Sequence, residues 1–130
     1  MIVLDASAAV EWLLQTPAGL RMEDRFFSAA ESLHAPELLD LEVAQVLRRF
    51  VTESAISSER ATEAIEDVID LRIMRYPHVV LLPRIWQLRH NFSCYDAAYV
   101  ALAEELGATL VTRDARLASA SNQILRVELF

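Results

Sequence analysis

Short apolar runs alternate along the chain with longer stretches in which apolar residues recur every three or four positions. Residues 2–4 form a continuous apolar run, which reads as a buried strand, and Ser7 is placed to cap a helix reaching about Gln15 through Val10, Leu13 and Leu14. Pro17 and Gly19 break that helix, and a second amphipathic helix is predicted over 20–32 with Leu20, Phe26, Phe27 and Ala30 inward. Residues 33–35 suit a short strand ending at Pro36. Helical spacing returns from Glu37 through Leu39, Val43, Val46, Leu47 and Phe50, and again over 57–75 through Ala61, Ile65, Val68, Ile69 and Ile73. The two segments are expected to form a helical hairpin, with Ser57 or Ser58 as the second helix's cap. A second clear strand is predicted at 79–82, followed by a short helix over 83–91 opened by Pro83. A further helix spans 93–106 and is closed by Gly107, and the chain finishes with a strand at 108–112, a short helix at 113–121 and a strand at 124–129. No repeat, linker or low-complexity stretch interrupts this order. Strands that alternate with helices and lack period-two alternation predict a mainly parallel sheet of four to five short strands, covered by helices on both faces. In such a sheet the ligand site lies beyond the carboxyl ends of the strands.

Carboxylates gather at that edge. Asp5 follows the first strand directly, and Asp114 lies two residues beyond the strand at 108–112. Either could simply cap the helix that follows. Asp96 stands three residues after Ser93, as in a capping box, but Val100 and Ala103 follow at i+4 and i+7, so it continues an apolar stripe. Glu42 is similar, flanked by Leu38, Leu39 and Val46, whereas Glu37 and Glu53 look outward. A carboxylate turned inward without a basic partner is costly, so these acids call for a ligand. Two unit charges about 4 Å apart repel by about 4 kcal/mol at an effective dielectric of 20, and a cluster of them persists only with cations or protons inside it. Mg²⁺ is the natural occupant, since it takes oxygen ligands and keeps several waters. Ser7 and Thr112 could orient the acids or bound waters from behind, with helix capping as the simpler alternative.

Composition removes several other chemistries. All 12 basic residues among the 130 are arginine, which excludes a P-loop lysine or a Schiff base, and two isolated glycines cannot cradle a phosphate. The single cysteine, Cys94, rules out a disulfide framework and reads as a small buried hydrophobe. His34, His78 and His90 lack metal-ligand spacing. A hydrophobic content of 54% with 24% charged residues suits one folded domain over 1–130. No apolar run approaches the roughly 18 residues of a membrane span, and acids so near the N-terminus argue against a secretory signal, so a cytoplasmic location is expected.

The segments Met1-Ile2-Val3-Leu4-Asp5-Ala6-Ser7-Ala8, Glu42 six residues after Pro36, Tyr95-Asp96-Ala97-Ala98-Tyr99-Val100-Ala101-Leu102-Ala103 and Leu110-Val111-Thr112-Arg113-Asp114 together resemble the PIN-domain family, specifically VapC-type toxins of VapBC systems. The resemblance implies a three-layer α/β/α fold and a Mg²⁺-dependent endoribonuclease, with Mn²⁺ as a substitute metal. Its metal-binding and catalytic acids map to Asp5, Glu42, Asp96 and Asp114. It also implies a VapB-like antitoxin partner, an RNA substrate and a homodimer. Two positions depart from the pattern: Gln45 stands where many members have Asn, and Arg116 where some carry a further acid. The mechanism expected is in-line attack on phosphorus by a metal-activated water, with Asp96 or Asp114 taking the proton.

A net charge of −7 and a pI near 4.9 run against nucleic-acid binding. Setting aside the four site acids leaves −3, and bound Mg²⁺ would bring the catalytic edge near neutrality. Arg113, Arg116, Arg48 and Arg49 are then the candidate phosphate contacts, although each could equally be a solvated surface charge. Two competing readings stand beside this one. The chain could be a catalytically silent PIN-like module acting through a protein partner, or a metal-dependent phosphatase. The latter usually needs Asp-x-Asp after the first strand and a lysine, whereas Ser7 occupies the second position here and lysine is absent.

Overall fold

The computed structural model describes all 130 residues. In chain order the elements are β1 (Ile2–Leu4), α1 (Ala6–Leu13), α2 (Pro17–Ser28), β2 (Leu33–Pro36), α3 (Leu38–Thr52), α4 (Ser58–Asp70) and β3 (Ile73–Tyr76). A 3₁₀ turn (Val79–Leu81) then leads to α5 (Leu82–Gln87), α6 (Cys94–Leu106), β4 (Thr109–Thr112), α7 (Ala115–Ser121) and β5 (Val127–Leu129). The five strands form one sheet in the order β3-β2-β1-β4-β5, and every neighbouring pair is parallel. One helical layer is built around α1 with α2, α3 and α4, and the other around α6 with α5, which gives the expected three-layer α/β/α arrangement.

β1 is buried at every position because it lies at the centre of the sheet, with helices over both faces. α6 owes its place to small side chains: Ala97 through Ala103 are all buried, so this helix is enclosed by the core instead of being amphipathic. Gly107 takes φ 61 at its end, and the Ala108 amide donates to the Ala103 carbonyl, as predicted for a glycine C-cap.

Several expected boundaries are corrected. Thr16 and Pro17 begin α2 instead of breaking α1, and α2 ends at Ser28, so Leu20 and Phe27 face solvent at 52% and 69% exposure and Ala30 is exposed too. The residue that faces inward beside Phe26 is Met22, which is fully buried. Gly19 marks close packing: a Cβ there would lie 2.1 Å from the Glu11 carbonyl oxygen on α1.

The strand expected at 79–82 is instead a turn and the start of α5, while β3 lies at 73–76, inside the segment that the helical spacing had claimed. β3 is an edge strand, so only Ile73 needs to be buried, and Arg75 anchors it through bonds to Asp40 on α3 (2.7 and 2.9 Å) and to the Val68 carbonyl on α4 (2.8 Å). α4 therefore stops at Asp70, Ile69 is exposed, and Ser57 is its cap, accepting from the Arg60 amide at 3.0 Å. α5 ends at Gln87 and β5 begins only at Val127. Cys94 is exposed, not buried, because it opens α6 on the solvent side. His34 is buried, held by Tyr76 and Ser32, and His78 accepts the Leu38 amide at 2.9 Å.

Gly19→Ala tests the α1–α2 packing. Alanine is the better helix former by about 1 kcal/mol, yet the overlap with Glu11 should make the variant less stable by about 1 to 3 kcal/mol in denaturant unfolding.

Candidate active site

The strand order reverses direction between β1 and β4, and this switch point is where an open parallel sheet leaves a crevice. Asp5 and Asp114 emerge there. Both are helix N-caps, so capping and a place in the crevice coincide in the same residues. Asp5 Oδ1 accepts from the Ala8 amide at 3.0 Å, and Asp114 Oδ1 accepts from the Arg116 and Leu117 amides at 2.9 and 3.2 Å. Ser7 lies inside α1 and is not its cap. Its hydroxyl donates to Asp5 Oδ1 at 2.7 Å and accepts the Arg113 amide at 2.9 Å. Thr112 is fully buried; its hydroxyl donates to Asp5 Oδ2 at 2.5 Å and accepts the Asp114 amide at 2.9 Å. Two hydroxyls thus lock the ends of β1 and β4 together around one carboxylate.

Glu42 on α3 and Asp96 on α6 complete the arrangement, and all four acids line one cavity of about 250 Å³ together with Tyr99, Gln45 and Ser7. Tyr99 donates its hydroxyl to Glu42 Oε1 at 2.7 Å. Sequence reasoning placed this tyrosine only within a motif; its spacing three residues after Asp96, on the same helical face, was the available signal. Burial pushes the Asp5 carboxyl up to about 6 against the opposing bonds from Thr112, Ala8 and Ser7, and the charge of Asp114 adds to the rise. Glu42 and Asp96 are also raised, first by burial and then by neighbouring carboxylates: Asp96 acts on Glu42, and Asp114 on Asp96.

The donor set suits a hard divalent cation bound partly through water. Asp114 Oδ2 and Glu42 Oε2 accept no hydrogen bond from the protein, and Asp5 uses three of its roughly four lone-pair sites. The free carboxylate oxygens, joined at the cavity by the side-chain amide of Gln45, are the hard oxygen donors that Mg²⁺ prefers. No three of the molecule's acidic, histidine or cysteine side chains are grouped closely enough to hold a metal ion by themselves, so waters would have to supply most of the ligands of an ion in this cavity.

The four arginines differ in availability. Arg113 is engaged by Glu11 at 3.6 Å and by the Phe130 carbonyl. Arg48 and Arg49 are exposed on α3, with the Arg49 guanidinium over the Phe50 ring. Arg116 is exposed and forms no ion pair, and its charge partly offsets the rise at Asp96.

A parallel α/β sheet with carboxylates from four separate elements lining one cavity at its switch point defines an acid-lined class of site. The PIN domain model matches residues 2–122, and the chain belongs to the PIN-domain family, in its VapC branch. It is 45% identical to ribonuclease VapC9 of Mycobacterium tuberculosis over 117 residues, 90% of this chain and 88% of that protein. It is 41% identical to ribonuclease VapC12 of the same species over 129 residues, 99% of this chain and 98% of that one. The crystal structure of PAE2754 from Pyrobaculum aerophilum superposes with a TM-score of 0.73 at 20% identity, covering 97% of this chain and 81% of that one, and shares the fold.

The raised Asp5 carboxyl makes stability depend on pH. An acid whose folded pKa lies above its unfolded value stabilises the fold when protonated, so this contribution is complete below about pH 4 and is lost as pH rises through about 6. In metal-free buffer, unfolding free energy should fall between pH 4 and pH 7 by on the order of 3 kcal/mol more in wild type than in Asp5→Asn. Parallel denaturant titrations of the two proteins at each pH read the difference.

Proposed function

We propose that this protein is a metal-dependent endoribonuclease toxin, using Mg²⁺, with Mn²⁺ as a substitute, to hydrolyse phosphodiester bonds in RNA. The observation that carries the reading is the set of unpartnered carboxylate oxygens of Glu42 and Asp114, with Asp96 beside them, around a cavity at the sheet's switch point. The ribonuclease names of relatives at 41% and 45% identity support the same activity.

Asp5, Glu42, Asp96 and Asp114 would hold the ion. Bound there, it would supply charge to stabilise the phosphoryl oxygens and would acidify an attacking water. Thr112 and Ser7 fix both Asp5 oxygens, so that acid is a rigid support. Asp96 or Asp114 would accept the water's proton; burial and the charge of Asp114 raise the Asp96 carboxyl, and the nearby Arg116 charge opposes that rise. Arg116 is the first choice for holding an RNA phosphate, since it lies beside the acids and is not paired. Arg48 and Arg49 would extend that contact along α3, and Arg113 would join only by leaving Glu11.

A VapB-like antitoxin is the expected partner, and a groove beside α2 and α4 suits it. The groove consists of two cavities that share Trp12, Asp70 and Leu71: Phe27 and Met74 add apolar surface to one, and Glu23, Glu63 and Asp67, beside Arg60, make the other mainly acidic, which would draw a basic segment. A homodimer is supported by the exposed apolar side chains Val79, Val80, Leu82, Trp86 and Tyr95 on neighbouring elements. No helix is long and apolar enough to cross a membrane, and a cytoplasmic location is in keeping with the unpaired, exposed Cys94.

Total RNA incubated with the purified protein should be cleaved with Mg²⁺ and spared with EDTA. Asp96→Asn should lower the cleavage rate by roughly 100-fold or more while leaving the melting temperature in metal-free buffer no lower, since the Ser93 cap acts on the backbone amide of residue 96. Undiminished cleavage by the variant would remove Asp96 from the site. RNA left intact by wild type with Mg²⁺ present would favour the silent binding module.

A further inference from the structure

Tyr99 is the largest fully buried side chain of the molecule, at 2% exposure, and its hydroxyl is its one polar side-chain atom. A buried hydroxyl must find a partner, and here the partner is a site carboxylate from another helix, Glu42 Oε1 at 2.7 Å. The consequence differs for the two residues. Asp5 and Asp114 are short side chains already pinned by backbone amides at helix starts, and Asp5 is held by two hydroxyls as well. Glu42 sits within α3, beyond reach of any cap, carries one more rotatable bond than aspartate, and receives no other hydrogen bond from the protein. Its only anchor is Tyr99, which also lines the cavity and stands on the same face of α6 as Asp96.

We propose that Tyr99 is a positioning residue: its hydroxyl fixes Glu42 Oε1, leaves Oε2 free for a divalent cation, and so couples the Glu42 of α3 to the Asp96 of α6. This rests on the reading of the cavity as a divalent-cation site. A tyrosine that merely filled the core would serve as well with its hydroxyl removed, because the ring would still occupy the same space.

The test is Mn²⁺ binding, followed by calorimetry or electron paramagnetic resonance, on wild type, Tyr99→Phe, Glu42→Gln and the double variant. Removing an outer partner of a metal ligand typically weakens affinity by tenfold or more, so Tyr99→Phe should bind Mn²⁺ roughly tenfold more weakly than wild type. The double variant should bind no more weakly than Glu42→Gln alone, because the hydroxyl acts through that carboxylate. Wild-type affinity in Tyr99→Phe, or losses that add in the double variant, would overturn the positioning role while leaving the cation site standing. Wild type that binds no Mn²⁺ would overturn the cation site and this proposal with it. Should Tyr99→Phe fail to fold, Glu42→Asp carries the test: its shortened carboxylate keeps the charge but draws back from Tyr99, so it should bind Mn²⁺ about as weakly as Glu42→Gln, and wild-type affinity would overturn the proposal.

Discussion

The buried carboxylate of Asp5 is the constraint around which the rest of the molecule is arranged. It sits at the end of the central strand at 5% exposure with no basic partner, a placement that raises its pKa to about 6 in spite of the bonds it accepts. Thr112, Ser7 and the Ala8 amide satisfy it, and each comes from a different structural necessity. Thr112 is available only because β1 and β4 pair in a register that sets Leu4 beside Val111. The Ala8 amide is available because α1 begins directly after the strand, and Ser7 because it sits in that helix's first turn. The register, the helix start and the acid therefore specify one another.

Capping alone does not explain the acids. Asparagine or serine caps a helix about as well as aspartate and avoids the burden of a charge at 5% exposure. Each of Asp5, Glu42 and Asp96 has its pKa raised, and a neighbouring carboxylate contributes to each rise, the pattern expected when close approach of like charges serves function at the expense of stability. The hydroxyls of Thr112 and Tyr99 then act as restraints on Asp5 Oδ2 and Glu42 Oε1, and Glu42 Oε2 is left without a hydrogen bond from the protein.

Much of this was legible in the sequence, for identifiable reasons. β1 and the ends of β4 and α6 are marked by a continuous apolar run, by Thr112 beside Asp114 and by Gly107, all local signals. The four acids stood out because each sat at a strand end or on an apolar helical face, and the structure brings all four to one cavity. What escaped depended on partners far away in the chain. β3 carries a single buried position and is held by Arg75 bonding to Asp40, so its helical spacing with Ile69 misled, while Val79 and Val80 look like a strand but face solvent at 69% exposure. Gly19 seemed a breaker because its role is to let α2 approach Glu11. Tyr99 went unremarked because nothing local reveals that its hydroxyl meets a glutamate 57 residues away.

On the proposed function, carboxylates from four elements hold a divalent cation at the switch point of the sheet. Mn²⁺ soaked into crystals of the protein and located by its anomalous scattering tests it most directly. A peak is expected inside the cavity, within about 2.0 to 2.3 Å of at least one oxygen of Asp5, Glu42, Asp96 or Asp114, with the remaining acids reached through water. Anomalous density only at surface acids away from the cavity, with the four carboxylates unchanged, would contradict it.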